Sequence, residues 1–170
     1  VPEALFTLPR RWRRVTVVAH IAASVGWLGL SLCLLVLAGT ARTATDQATV
    51  VAGYRAMAVL ASDLTIPVSG TALLTGIVLA AGRPWGLTRH RWILAKLGLT
   101  LAATAASVFA LPVLIDRAVR DAPHPDPSTA NNLVIASAVA VATYTALVAI
   151  SVVKPWGRRR GTAGTPRYIR

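Results

Sequence analysis

Four stretches of the chain decide what it can fold into: Val15 to Ala38, about Leu60 to Ala81, Trp92 to Ile115, and Leu133 to Val153. Each is apolar almost throughout and long enough to cross a membrane, since ~30 Å of hydrocarbon takes roughly 20 residues at a helical rise of ~1.5 Å. A chain of 170 residues that is 55% hydrophobic and only 14% charged departs from the balance of a water-soluble domain in the same direction. The expected fold class is all-α, a polytopic transmembrane four-helix bundle. Residues 1–155 form a single four-span domain and 156–170 a basic tail, with no room for a second domain. The apolar core of the first segment exceeds the ~7–15 residues of a signal-peptide core, so it reads as a retained span.

The net charge of +12 is distributed unevenly, and its placement matters more than its size. Arg10, Arg11, Arg13 and Arg14 precede the first span, Arg83, Arg89 and Arg91 lie between the second and third, and Lys154, Arg158, Arg159, Arg160, Arg167 and Arg170 follow the fourth. All of these fall on one side of a four-span arrangement. The other side has Arg42, Arg55, Arg117 and Arg120, offset by Asp46, Asp116, Asp121 and Asp126. The positive-inside rule then places both termini in the cytoplasm, with the protein in the cell's inner membrane. Trp12, Trp85, Trp92 and Trp156 sit beside the same basic ends, at the headgroup level that indoles favour. The basic excess is thus a topology signal and an attraction to anionic lipid headgroups. Nucleic-acid binding would need a basic face with base-stacking aromatics, which the sequence does not offer.

Two segments allow more than one reading. Apolar residues of the second segment begin near Val50, so Val50 to Ala61 is either an interfacial helix or the start of one long tilted helix, with Asp63 near the outer interface. Pro67 favours a kink or a helix start there, because its ring opposes the carbonyl of Asp63. The stretch from Asp116 to Asn132, with Pro123, Pro125 and Pro127, reads as an external linker that is not helical throughout, and Asn131 or Asn132 as the cap of the last helix.

Within the spans, two ionisable residues stand out. His20 lies six residues beyond Arg14, and Lys96 five beyond Arg91. Both are therefore ~8–9 Å inside the basic boundary at helical rise. Ionisable groups are costly in hydrocarbon and generally face the bundle interior. At ~100° per residue, His20, Ser24, Trp27 and Ser31 fall on one stripe, and Lys96, Thr100, Ala103 and Ser107 repeat its spacing on the third helix. Weaker stripes are Ser62, Thr65, Ser69 and Gly76 on the second helix, and Ser137, Tyr144 and Ser151 on the fourth. Ala22, Gly26, Gly29 and Cys33 form a small-residue face on the first helix, which suits close packing, a homodimer or a partner membrane protein. Taken singly, a lysine that snorkels, a core histidine bonded to a hydroxyl, and hydroxyls bonded to their own helix account for these residues equally well. The coincidence of depth and spacing favours one shared cavity.

The runs His20-Ile21-Ala22-Ala23-Ser24-Val25-Gly26-Trp27-Leu28-Gly29, Leu73-Leu74-Thr75-Gly76 and Trp92-Ile93-Leu94-Ala95-Lys96-Leu97 resemble bacterial membrane proteins grouped with CopD-type copper-resistance proteins and HemJ-type protoporphyrinogen oxidases. The resemblance spans about Val15 to Ile115, through short motifs, and is strongest to uncharacterised, actinobacterial-looking members, which imply no activity. In the HemJ type the matching histidine and lysine are implicated in haem b binding. That resemblance implies haem b or a related tetrapyrrole near the cytoplasmic side, with His20 as an axial ligand and metal-binding residue. Lys96 would be the second ligand or a propionate partner, Arg91 with Arg89 would pair propionates, and Trp27 would pack the ring. HemJ-type proteins carry a Pro-Arg element after the tryptophan, where this chain has Ser31 to Leu37, so on that point it departs from the oxidases. The alternatives are a cofactor-free accessory or structural membrane subunit, and CopD-like copper handling through Cys33, Met57 or His124, the last with Asp121 and Asp126 beside it. Thiolates and thioethers are what copper(I) prefers, and the chain offers one cysteine and one methionine.

Overall fold

A computed structural model describes residues 8–82, 91–124 and 126–153, with the side chains of 91–93 outside that description. The side chain of Arg91 therefore lies outside the described residues, as do Arg83, Arg89, the turn at Pro84-Trp85-Gly86, and the basic tail from Lys154 onward. The described residues form helices joined by short connections: α1 (Arg10–Thr43), α2 (Gln47–Ala81), α3 (Arg91–Ala105), α4 (Leu111–Asp121) and α5 (Pro127–Val153). A π-helical turn, Ala106–Ala110, carries α3 into α4 without a break, so the two make one span. Four helical spans long and apolar enough to cross a membrane make this an all-α membrane bundle.

The π turn has a local cause. Pro112 lacks an N–H, and its ring opposes the carbonyl four residues back. The helix adapts by lengthening one turn, and the Leu111 N–H donates to the Ala106 carbonyl, five residues back.

α1 and α2 run for 34 and 35 residues. At a rise of ~1.5 Å each is about 50 Å long, well beyond the ~30 Å of hydrocarbon. α2 is one continuous helix through Pro67, and Val50 to Ala61 is part of it rather than a separate interfacial helix. The reason is packing, because Val50, Gly53, Tyr54, Met57 and Ala61 recur at helical spacing and all bury. At Gly53 an added Cβ would lie 3.1 Å from the Ala41 Cβ, so the two backbones come close at this end of the hairpin. Asp63 is exposed, roughly opposite Ser31, about 25 Å from the level of Arg14 at helical rise. Its carboxylate accepts a hydrogen bond from the Ser62 hydroxyl at 2.8 Å.

Around the bundle, α1 packs on α2 and α5, and the α3–α4 span packs on the same two helices. Among the described residues, α1 and α3 have no Cα atoms within 8 Å of one another and face each other across the diagonal. The buried side chains form two clusters. The larger joins Leu34, Ala38, Met57, Ile115, Ala118 and Leu133 at the end where α1 turns into α2 and α4 into α5. The smaller, Trp27, Ala72, Tyr144 and Leu147, lies deeper in the membrane.

Both connections at the far end are held by aspartate caps. Asp46 accepts from the Thr49 N–H at 2.8 Å and caps α2. α5 begins at Pro127, and its cap is Asp126, whose carboxylate accepts from the Ser128 N–H at 3.1 Å and from the Ser128 and Thr129 hydroxyls. The helix thus starts four residues before Asn131. An Asp-Pro pair supplies both cap and first helical residue, and Asn131 instead accepts from the Arg42 Nε at 2.6 Å, tying α5 to α1. Hydrogen bonds, chiefly from the Ser128 side chain, hold the Asp126 carboxyl below its usual range. A group depressed in the folded state stabilises above its unfolded pKa of ~3.9, and that contribution is lost as pH falls through the folded value. Asp126→Ala is therefore expected to lower the melting temperature near neutral pH, and the gap to the parent protein should close as pH falls through the folded value, in detergent melts followed by circular dichroism. A gap independent of pH would show that the carboxylate charge is not what caps α5.

Candidate functional site

His20 packs against α2 one turn at a time. Its Nδ1 lies 3.0 Å from the Ala72 carbonyl oxygen and 3.0 Å from the Thr75 hydroxyl oxygen. The Thr75 hydroxyl already donates within its own helix, to the carbonyls of Thr71 and Ala72. Both oxygens facing Nδ1 are therefore acceptors, and Nδ1 must carry the proton. The lone pair of the neutral ring is then on Nε2. Gly76 completes the seat, since a Cβ there would stand 3.2 Å from His20 Cε1.

Lys96 is half-buried, and its Nζ donates to the Ser151 hydroxyl at 2.6 Å. Ser151 passes its own proton to the Leu147 carbonyl at 2.7 Å. An ammonium has three donors, and Ser151 takes one.

The two residues share a layer by register. Trp27 stacks on Tyr144 with ring centroids 4.4 Å apart and planes tilted by 36°. Seven residues back along α1 from Trp27 is His20, and seven forward along antiparallel α5 from Tyr144 is Ser151, the partner of Lys96. His20, Thr75, Lys96 and Ser151, one from each span, therefore lie at one level. The structure brings His20 and Lys96 to the same polar layer on diagonal helices, each bonded to a different neighbour. Trp27 is at another level, about 10 Å further from the arginines at helical rise. Trp27 is 4% exposed, and Ala103 of α3 packs against the cluster it forms with Ala72, Tyr144 and Leu147.

The hydroxyl stripes sort themselves in the same way. Ser31, Thr65, Ser69 and Ser137 are buried in the interior, and the Ser107 and Tyr144 hydroxyls pair at 3.0 Å. Ser62 is exposed. Ser31 bonds the Trp27 carbonyl, and Thr100 the Lys96 carbonyl, the local pattern of hydroxyls in membrane helices. Of the small-residue face, Ala22, Gly26 and Cys33 are exposed and Gly29 is half-buried, while a Cβ at Gly26 would stand 3.9 Å from Val68 of α2. Cys33 points outward whereas Met57 is fully buried, so the soft donors do not converge. No group of three potential metal ligands occurs among the described residues, His124 with its neighbouring aspartates included.

In the sequence Ser151 stands out only within a weak polar stripe, and Thr75 with Gly76 only within a short motif. The Ala72 carbonyl leaves no mark in a sequence, because any residue supplies one. Comparisons of the chain with protein-family models, curated proteins and solved structures find no match.

Proposed function

We propose that this integral membrane protein binds haem b, or a related tetrapyrrole, at the polar layer near its basic end, with His20 as an axial ligand through Nε2. The observation that carries the reading is the seat of the imidazole. Histidines that ligate metals almost always donate their other ring N–H to a carbonyl or similar acceptor, which fixes the tautomer and the ring plane. The bond from Nδ1 to the Ala72 carbonyl does this for His20, and a neutral imidazole nitrogen suits iron. The donor set therefore fits the group. Lys96, at the same level on the diagonal helix, would present its ammonium to a propionate or its amine to the iron, and Arg91 opens α3 at the same end. Trp27 with Tyr144 closes the layer on its far side. The iron supplies one-electron chemistry when bound; the chain's own residues hold and orient it and keep bulk water out. By the positive-inside rule this end is cytoplasmic and the membrane is the cell's inner one, with anionic headgroups as its lipid partners.

Absorption spectroscopy of protein purified in detergent, after expression with haem supplied, tests the reading. The parent protein is expected to show a Soret band that His20→Ala loses almost entirely, and that Lys96→Met shifts or weakens. A parent protein with no Soret band, or a band unchanged in His20→Ala, would leave a cofactor-free accessory subunit as the better account. Copper handling predicts instead tight metal binding that depends on Cys33, Met57 or His124.

A further inference from the structure

The outer surface of the α1–α2 hairpin carries an open apolar groove. Leu32, Cys33 and Val36 of α1 and Ala56, Val59 and Leu60 of α2 form its walls, and no charged side chain lines it. Leu32, Cys33, Val36 and Val59 are exposed, so no other described helix covers it. Asp63 lies four residues from Val59 and seven from Ala56, which puts it on the same face of α2, at the end of the groove nearer the arginines.

Asp63 is the residue that a lipid-facing surface does not explain. With Arg14 at one boundary, its level about 25 Å away is some 5 Å short of the far edge of ~30 Å of hydrocarbon. An aspartate stem is too short to carry its charge to the headgroups as a lysine stem does. Among the described residues its carboxylate receives a hydrogen bond only from its neighbour Ser62. Pro67, exposed on the same face, has no N–H for the Asp63 backbone carbonyl, so that oxygen lacks its usual helical donor as well. Two acceptors of one residue are thus short of donors, at a depth where ionisable groups are paired in assembled membrane proteins.

Charge and depth choose the occupant. Lipid tails would fill the groove but leave both acceptors unpaired. A second copy in the same orientation has no cation to offer at this level: Arg55 is eight residues away along α2, about 12 Å at helical rise, and Lys96 shares the level of His20, eleven residues short of Ser31. Two copies meeting through this face would bring like charges together. A membrane helix with a basic side chain at this depth supplies several donors for the two acceptors, and apolar side chains for the groove. The α1 wall continues towards the arginines through Gly29, where an added Cβ would touch nothing, so such a helix can pass close.

We infer that the groove between α1 and α2 docks a transmembrane helix of a partner protein that carries a basic residue level with Asp63 and pairs with its carboxylate.

The probe is a Trp-flanked Leu-Ala transmembrane peptide with one lysine about three residues inside one edge of its apolar stretch and one cysteine beside it, added to the full chain in lipid vesicles. Cys33, the single cysteine of the chain, lies in the groove two residues past Ser31, so a disulfide to the peptide reports docking there. The lysine peptide is expected to reach half-maximal cross-linking at about a ten-fold lower peptide-to-lipid ratio than the same peptide with leucine in place of lysine, the scale of one hydrogen bond to a charged group. Asp63→Asn should remove that preference, and Asp63→Lys should transfer it to a peptide with aspartate in place of lysine. The double variant Cys33→Ala with Phe109→Cys gives the background, because Phe109 is exposed on another face, thirteen residues beyond Lys96 as Cys33 is beyond His20. His20→Ala should change none of these results, so the outcome is independent of the haem reading. Equal cross-linking of the lysine and leucine peptides would overturn the inference, as would a lysine preference that survives Asp63→Asn, or an adduct no more abundant than that of the Phe109→Cys background. Disulfides between two copies of Cys33 in preference to the peptide would overturn it in favour of a second copy.

Discussion

Leu133→Ala is expected to destabilise the bundle by about 2–5 kcal/mol, whereas Leu147→Ala should cost markedly less, although both side chains are large, apolar and buried. The difference comes from what surrounds each residue when the protein unfolds. Leu133 belongs to the larger cluster with Met57 and Ile115, at the far end of helices that overshoot the hydrocarbon. Ile115 is 24 residues beyond Arg91, about 36 Å at helical rise and more than the ~30 Å of hydrocarbon, so with Arg91 at one boundary this end reaches the opposite headgroup layer or water. There, burial carries the full hydrophobic term, and truncating Leu133, which is 0% exposed, leaves a cavity as well. Leu147 packs with Trp27 and Tyr144 inside the hydrocarbon, where lipid tails are as apolar as the core and only packing is at stake. Unfolding titrations in mixed detergent micelles give both free energies. Equal losses at the two positions would mean that the far-end cluster is no more water-facing than the inner one.

On the proposed haem reading, Gly76→Val is expected to cut haem retention roughly ten-fold or more while His20 itself is untouched, which is the scale of a small-to-large change in a tight seat. The first carbon of any side chain at Gly76 already stands 3.2 Å from His20 Cε1. Two further methyl groups have to push the imidazole away, and Nδ1 then loses the Ala72 carbonyl, which sits one turn earlier on the same helix. Gly76→Ala requires only a few tenths of an ångström and should retain most of the band. The measurement is Soret absorbance per mole of protein, with helix content from circular dichroism as the control. A folded Gly76→Val protein with the parent's full Soret band would show that the His20 seat on α2 does not hold the cofactor.

The membrane fold was legible because the physics behind it is local. Hydrocarbon denies the backbone any partner but itself, so runs such as Leu133 to Val153 have to be helical wherever they pack. Depth was legible as well, since rise per residue is fixed: the shared level of His20 and Lys96 was counted from Arg14 and Arg91, and the register through Trp27, Tyr144 and Ser151 agrees with it. Helix ends were not. α2 continues through Val50 to Ala61 because Met57, Tyr54 and Gly53 find α1 beside them, a tertiary reward that outweighs Pro67 and the polar residues nearby. The start of α5 was misread because Asp126-Pro127 and Asn131 are both plausible starts locally, and only the bond from Arg42 to Asn131 shows which is engaged elsewhere.

The sequence by itself determined that this chain is a bundle of four membrane helices with a histidine and a lysine at one depth. Tertiary structure alone decided that α1 and α3 are diagonal, that His20 bonds Ala72 and Thr75, and that Lys96 bonds Ser151. It alone buried the Thr65 and Ser137 hydroxyls, which have no hydrogen-bond partner among the described residues. The reason is that alanine-rich helices present similar faces on several sides, so periodicity fixes each helix but not which neighbour it meets or in what register. That choice is made by a few contacts between distant positions: Gly53 against Ala41, Gly76 against His20, and Trp27 against Tyr144.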